Sequence, residues 1–195
     1  MMRIGIMGGT FNPIHLGHLI AAQRACEGME LDQIWFMPTH TPPHKPAPAG
    51  TTPEQRRDMV QLAVSGSNRF CVSDAELRRE GVSYSYDTVC RLQQDHPDDR
   101  FYYIVGADMI QFLPKWYRID ELATRIGFIG LQRKGYSASL EALPENIRAA
   151  VTLVPMPVIE LSSTEIRERR AKGKPVTYLV PANVERYMEE NGLYA

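Results

Sequence analysis

Two histidines, His15 and His18, stand three residues apart behind a glycine-rich turn, Gly8-Gly9-Thr10-Phe11-Asn12-Pro13. The turn follows the short apolar run Ile4-Gly5-Ile6-Met7, so it reads as a strand exit leading into a helix start. Backbone N–H groups at such a junction lack partners and attract an anion. The spacing puts both imidazoles on one face of the helix's first turn, where both can point at the docked group. Gly17 between them is a poor helix former, weaker than alanine by about 1 kcal/mol. Its missing side chain lets a ligand lie against the backbone. Phosphate binding with built-in imidazoles is the chemistry this pattern suits. A glycine turn of any doubly wound protein, with two incidental surface histidines, is the plainer alternative.

A second cluster is Leu161-Ser162-Ser163-Thr164-Glu165-Ile166-Arg167. Ser162 with Glu165 three residues on predicts a capping box and a helix start. The free N–H groups there, the hydroxyls of Ser163 and Thr164, and Arg167 one turn later make a second anion site. Taken alone, the same residues also fit a capped surface helix with a solvated arginine. Gly106-Ala107-Asp108 forms a further strand-exit turn after Phe101–Val105, in which Asp108 can cap a short helix. Thr41-Pro42-Pro43-His44-Lys45 places a basic pair on a proline-stiffened loop, either reaching a phosphate or solvated beside a turn. His40 and His44 have no cysteine or carboxylate joining them in sequence, so no protein metal site is expected.

Gly-Gly-Thr-Phe-Asn-Pro followed by His15-Leu-Gly-His18 resembles the signature of the His-x-Gly-His nucleotidyltransferases, which move a nucleotidyl group from a nucleoside triphosphate onto a phosphorylated acceptor. The Ser162–Arg167 segment is similar to the Ile-Ser-Ser-Thr-x-x-Arg motif of the same superfamily, with Leu161 in place of isoleucine. Three further segments narrow the resemblance: Pro42-Pro43-His44-Lys45, Val82-Ser83-Tyr84-Ser85-Tyr86-Asp87-Thr88, and the run from Gly106 to Trp116-Tyr117. Together they resemble the bacterial nicotinate-nucleotide adenylyltransferase family, which joins nicotinate mononucleotide to the AMP of ATP and makes deamido-NAD. The likeness extends from Ile4 to the closing Glu-Asn-Gly-Leu-Tyr.

That resemblance implies roles. His15, His18 and Arg167 would be catalytic. Gly8, Gly9, Thr10, Phe11, Gly17, His18, Gly106, Asp108, Ser162, Ser163, Thr164 and Arg167 would hold ATP, with Asp108 a ribose or magnesium-water contact. Asn12, His44, Lys45, Ser85, Trp116 and Tyr117 would hold nicotinate mononucleotide. The tryptophan would stack on the pyridine ring, and backbone amides near Ser85 and Trp116 would hold its carboxylate. Mg²⁺ would arrive with ATP. Nucleotidyl transfer needs positioned phosphates and stabilised oxygen charge more than covalent help. No Ser or Cys nucleophile is required, and no triad is evident. There are departures. Ser85 replaces the usual threonine, and Arg133-Lys134-Gly135 stands where Arg-Pro-Gly is common, which weakens a ligand role for Arg133. Asn12 occupies a position where aspartate is frequent in the superfamily, which argues against a metal carboxylate there.

Bulk properties bound the rest. A net charge of −1 over 195 residues excludes a nucleic-acid-wrapping surface. Cys26, Cys71 and Cys90 suggest neither a disulfide framework nor a zinc site, so reduced thiols and a cytoplasmic setting are expected. No signal-peptide layout or apolar run of membrane-spanning length is present, so no membrane partner is expected. A homo-oligomer and a monomer remain equally open.

The elements that must position these groups alternate. Strands are predicted over Arg3–Met7, Gln33–Met37, Arg69–Ser73, Phe101–Val105, Ile126–Leu131 and Val151–Val154. Helices are predicted from Leu16 to Cys26, from Thr52-Pro53 to about Gly66, from Tyr86 to about Gln94, and from Pro181 to Asn191. The pattern implies an α/β, Rossmann-like doubly wound fold: a mainly parallel sheet with helices on both faces. Residues 1–195 would form one nucleotidyltransferase domain, whose helical part from about 162 to 195 completes the triphosphate site. The proline-rich stretch Pro38–Thr52 is a candidate lid.

Four other readings compete. A sister transferase using phosphopantetheine or nicotinamide mononucleotide would share the phosphate motifs. A class I aminoacyl-tRNA synthetase would be longer, with a Lys-Met-Ser-Lys-Ser loop. A non-catalytic nucleotide sensor would not need His15, His18 and Arg167 together. A Rossmann dehydrogenase would carry Gly-x-Gly-x-x-Gly.

Overall fold

In the computed structural model, which describes residues 1–41, 50–79, 81–133 and 140–195, the apolar runs of the sequence become six strands. They are β1 (Arg3–Gly9), β2 (Gln33–Pro38), β3 (Phe70–Val72), β4 (Arg100–Gly106), β5 (Gly127–Arg133) and β6 (Val151–Met156). Around them lie α1 (Leu16–Gly28), α2 (Pro53–Val64), α3 (Ser85–Asp95), α4 (Ala107–Ile110), α5 (Ile119–Arg125), α6 (Glu145–Ala149), α7 (Ser163–Ala171) and α8 (Ala182–Glu190).

Every strand pairing is parallel, in the order β3-β2-β1-β4-β5-β6. This is the doubly wound order, and strand succession reverses between β1 and β4. A parallel sheet is covered on both faces, so its strands read as near-continuous apolar runs. Successive residues accordingly serve two cores. Met7, Ile34, Phe36, Ile104 and Leu131 pack on one face with α1, α2, α7 and α8. Ile4, Ile6, Tyr103, Val105 and Phe128 pack on the other with α3, α4, α5 and α6. Ile166, Val184, Met188 and Leu193 from the last two helices and the segment after them join the first core.

Local signals set several boundaries. Thr52 and Gln55 form the reciprocal box at the start of α2, the Gln55 N–H donating to Thr52 Oγ1 at 3.2 Å and the Thr52 N–H to Gln55 Oε1 at 2.9 Å. The box predicted at Ser162 is only half formed. Glu165 N–H donates to Ser162 Oγ at 3.1 Å, and no return bond from the Glu165 side chain accompanies it. Asp108 is not a cap either: α4 begins behind Gly106, and Asp108 lies within the first turn. Helix α8 begins one residue later than predicted, with Pro181 at its N-cap. Gly192, at φ 59°, terminates it. The short helices α5 and α6 were not predicted. Most of the proline-rich candidate lid, including His44 and Lys45, lies outside the described residues. None of the described helices is long and apolar enough to cross a membrane.

Candidate active site

The strand reversal between β1 and β4 leaves a crevice at the carboxyl ends of the strands, where ligands bind in such sheets. A cleft of about 740 Å³ opens there. Met7 and Gly8 from β1, Ile104 to Gly106 from β4, Leu131 and Arg133 from β5, and Met156 from β6 form its floor. One wall comes from the first motif: Thr10, Phe11, Asn12, His15, Gly17 and His18. A second wall comes from the second motif: Leu161, Ser162, Ser163, Thr164 and Arg167. Two segments some 145 residues apart in sequence therefore face one space.

Hydrogen bonds join the walls directly. Arg167 Nη1 donates to the Asn12 carbonyl at 2.9 Å, and its Nη2 to Thr164 Oγ1 at 3.2 Å. Ser163 Oγ donates to the Pro13 carbonyl at 2.8 Å. From beneath, the fully buried Arg56 donates through Nη1 to the Thr10 carbonyl at 2.8 Å and through Nη2 to that of His40 at 3.4 Å. Among the described residues Arg56 Nε has no hydrogen-bond partner.

The two imidazoles form a stacked pair, with ring centroids 3.7 Å apart. The His15 N–H donates to His18 Nδ1 at 3.2 Å. That bond needs an unprotonated Nδ1, so in neutral His18 the proton sits on Nε2. Burial lowers the pKa of His15 to about 4, and burial with His15 alongside lowers that of His18 to about 3. Both rings are thus neutral in the ligand-free cleft near pH 7. His15 Nδ1 is buried with no hydrogen-bond partner among the described residues. Phe11, left-handed at φ 48°, stands edge-on to His18 with centroids 5.1 Å apart.

Two expectations about the first motif change. Gly17 makes room for a protein group as well as lining the cleft: a Cβ there would meet His15 Nδ1 at 3.0 Å. The N-terminus of α1 is less bare than predicted, because the Leu16 N–H donates to the Leu179 carbonyl at 3.0 Å. Gly8 likewise admits a neighbour, since a Cβ there would clash with the Tyr103 hydroxyl.

Tyr103 leads to the other expected subsite. Its ring meets Trp116 edge-on at 5.4 Å, and its hydroxyl lies near the side chain of Ser85 at the start of α3. Tyr117 packs on Tyr84 at 4.8 Å and Tyr86 at 6.3 Å. Trp116 thus sits with Tyr103 behind Gly8, while Tyr117 belongs to a separate ring group with Tyr84 and Tyr86 that flank Ser85 in sequence. Trp116 is half-buried and also packs on Phe128 at 6.2 Å, so it is partly a core residue. The buried Glu76 braces this group, accepting from Thr88 Oγ1 at 3.0 Å. Burial pushes its carboxyl pKa up.

Of the residues singled out in sequence, Gly9, Asp108, Ser85, Trp116 and Tyr117 do not line the main cleft. Asp108 is exposed, its carboxylate folded towards Gly106, where a Cβ would meet Oδ1 at 2.5 Å. His44 and Lys45 lie outside the described residues. Arg133, set aside on sequence grounds, lines the cleft. Arg56, Thr51 and Tyr194, which brace the first motif, carry no spacing signal. Ile104, Leu131, Met156 and Ile159 give the cleft an apolar flank that a planar base could lie against. Among the described residues no group of three or more His, Cys, Asp or Glu converges as a metal site.

Comparison of the sequence with known proteins gives one family. A model described as cytidylyltransferase-like matches residues 6–169. The nicotinate-nucleotide adenylyltransferase of Bacillus subtilis is 44% identical over 194 residues, covering 100% of this chain and 99% of that protein. A Geobacillus thermodenitrificans protein named probable nicotinate-nucleotide adenylyltransferase is 47% identical over 194 residues, covering 100% and 87%. Among solved structures, Plasmodium falciparum nicotinic acid mononucleotide adenylyltransferase complexed with NaAD superposes with a TM-score of 0.78 at 20% identity, covering 100% of this chain and 98% of that one. At that identity the superposition speaks for the fold.

Proposed function

Because the chain belongs to the nicotinate-nucleotide adenylyltransferases, within the cytidylyltransferase-like family, we propose that it joins ATP and nicotinate mononucleotide to give nicotinate adenine dinucleotide and pyrophosphate, a step of NAD biosynthesis. The observation that carries this reading is that His15 and His18 line the same cleft as Ser162, Ser163, Thr164 and Arg167. A polyphosphate chain suits such a lining, since neutral imidazole donors and an arginine with two hydroxyls can each meet different phosphates.

The reaction is an in-line displacement at the α-phosphorus. A phosphate oxygen of nicotinate mononucleotide forms the new P–O bond, while the bond from the α-phosphorus to the bridging oxygen breaks. Pyrophosphate leaves with that electron pair. The Nε2–H of neutral His18, with His15 beside it, donates to an α-phosphate oxygen as charge builds there. Arg167, Ser163 and Thr164 hold the departing phosphates, and the helical part from about 162 to 195 completes this half of the site. Gly8, Gly9, Thr10, Phe11, Gly17, Gly106 and Asp108 surround the remainder of ATP. ATP enters as its magnesium complex, the ion being part of the substrate. Asn12, His44, Lys45, Ser85, Trp116 and Tyr117 receive the acceptor, with Trp116 packed on Tyr103 and Tyr117 on Tyr84 and Tyr86. The free thiols of Cys26, Cys71 and Cys90 support a cytoplasmic setting.

The test supplies ATP and magnesium with nicotinate mononucleotide, nicotinamide mononucleotide or phosphopantetheine, and follows pyrophosphate release. Release with nicotinate mononucleotide well above the other two supports the reading. Preference for phosphopantetheine would move the chain to a sister reaction.

A further inference from the structure

The hydroxyl of Tyr194 donates to Asn12 Oδ1 at 2.5 Å, across 182 residues of sequence. Thr51 Oγ1 donates to the same oxygen at 2.8 Å. Asn12 is only 6% exposed and lines the cleft. Its Nδ2 makes no hydrogen bond among the described residues, yet it is not one of the sealed, partnerless polar atoms. A carboxamide is planar, so fixing its oxygen on one side fixes its NH₂ on the other.

The segment after α8 is built to deliver this hydroxyl. Leu193 is buried in the core beneath, and its N–H donates to the Met188 carbonyl at 2.9 Å. Tyr194 then turns left-handed at φ 62°, a conformation unfavourable for a side chain of this size and held only where contacts compensate. The phenol stands near the guanidinium groups of Arg56 and Arg167. Two cations favour the phenol oxygen's lone pairs on their side, which directs its proton to Asn12. Nothing in nucleotidyl transfer itself calls on this residue.

We infer that Tyr194, with Thr51, is a positioning residue that holds the Asn12 carboxamide with Oδ1 turned inward and Nδ2 presented to the phosphate of the acceptor nucleotide, an inference that rests on the adenylyl-transfer reading above. An asparagine so held is a pure donor towards the cleft.

The experiment is a double-mutant cycle on the full chain: wild type, Tyr194→Phe, Asn12→Ala and the double variant. KM for nicotinate mononucleotide, KM for magnesium-ATP and kcat are read by pyrophosphate release, with Tm measured alongside. Tyr194→Phe keeps the ring, so Tm should move by no more than about 2 °C. The acceptor KM should rise about 5- to 10-fold, the equivalent of one lost oriented hydrogen bond, with the ATP KM nearly unchanged. In the Asn12→Ala background the same substitution should change the acceptor KM by less than about twofold, because the two act as one unit. An unchanged acceptor KM, or the same factor in both backgrounds, overturns the inference. A second measurement is independent of turnover. The side-chain NH₂ resonances of Asn12, identified by their loss in Asn12→Ala, should shift or broaden in Tyr194→Phe without ligand. If they stay in place the inference fails, even if the wild type prefers a different acceptor.

Discussion

The main-chain N–H of His15 donates to Nδ1 of His18 at 3.2 Å while the two rings stack with centroids 3.7 Å apart. The backbone at the N-cap of α1 thereby sets the tautomer of His18, one turn on, without help from a carboxylate. The free Nε2–H is the one proton this ring can offer a phosphate.

His18→Ala removes that donor and leaves α1 its N-cap backbone. Loss of a single charge-stabilising donor lowers kcat by about 10²- to 10³-fold. The protein should remain folded, as judged by an unchanged circular dichroism spectrum. His15→Ala should also be severe and should weaken ATP binding as well. Turnover of His18→Ala within about threefold of wild type would remove His18 from the chemistry.

Stability should fall on mild acidification, and the sign follows from the two lowered pKa values. In the unfolded chain both histidines titrate near 6.5. In the folded protein His15 titrates at about 4 and His18 at about 3. Between about 4 and 6.5 the unfolded chain therefore binds protons that the folded protein does not, and stability drops as pH falls through that window. Above 6.5 both states are neutral and the effect vanishes. Each group contributes up to about 1.4 kcal/mol per pH unit, so unfolding at pH 5 should be easier by roughly 2–4 kcal/mol than at pH 7.5. Urea unfolding of wild type and a His15→Gln/His18→Gln variant at both pH values tests this. An identical pH dependence in the two proteins would show that the pair is not responsible.

Arg167→Ala should act on both the fold and the triphosphate. Its guanidinium ties Thr164 to the Asn12 carbonyl, and a charge-assisted bond of this kind contributes about 1.5–3 kcal/mol. The forward rate and the reverse rate, from dinucleotide plus pyrophosphate, should both fall by more than that loss of stability explains. Arg167→Lys should recover part of the charge but not the forked contact. Normal rates in both directions would leave Arg167 a structural tie alone.

The sequence reveals the sheet well because a parallel sheet buried on both faces requires unbroken apolar runs, and all six runs became strands. It does not reveal α5 or α6. These helices span 7 and 5 residues, too few for a helical period to stand out, and α5 starts from Arg118 at φ 52° with no side-chain cap. The two walls of the cleft were legible because glycine turns and Ser/Thr caps are local signals. Arg56, Thr51 and Tyr194 were not, since their contacts with residues 10–12 span 46, 39 and 182 residues and leave no spacing to read. The spacing around Gly17 points to room for a ligand, whereas its space is also used by His15. Spacing identifies which backbone must be bare, but not what approaches it.

Acceptor choice gives the most exposed prediction: nicotinate mononucleotide over its amide, with Trp116 supporting the pyridine ring. Trp116 is half-buried and stands edge-on to Tyr103, so one part of the indole packs inward while another remains available. Beside it, α3 begins at Ser85, where first-turn N–H groups lack helical partners and attract a carboxylate. An amide would turn two hydrogens towards those same donors and leave its own NH₂ unpaired, at a cost of about 1–3 kcal/mol. That corresponds to roughly 10- to 100-fold discrimination in kcat/KM. Trp116→Ala should raise the acceptor KM and leave that for ATP nearly alone. It should also lower stability, because the packing on Tyr103 and Phe128 is lost. Trp116→Phe should restore stability more fully than it restores acceptor KM. Equal kcat/KM for acid and amide would refute selectivity through donors at α3, and an unchanged acceptor KM in Trp116→Ala would make the indole a core residue only.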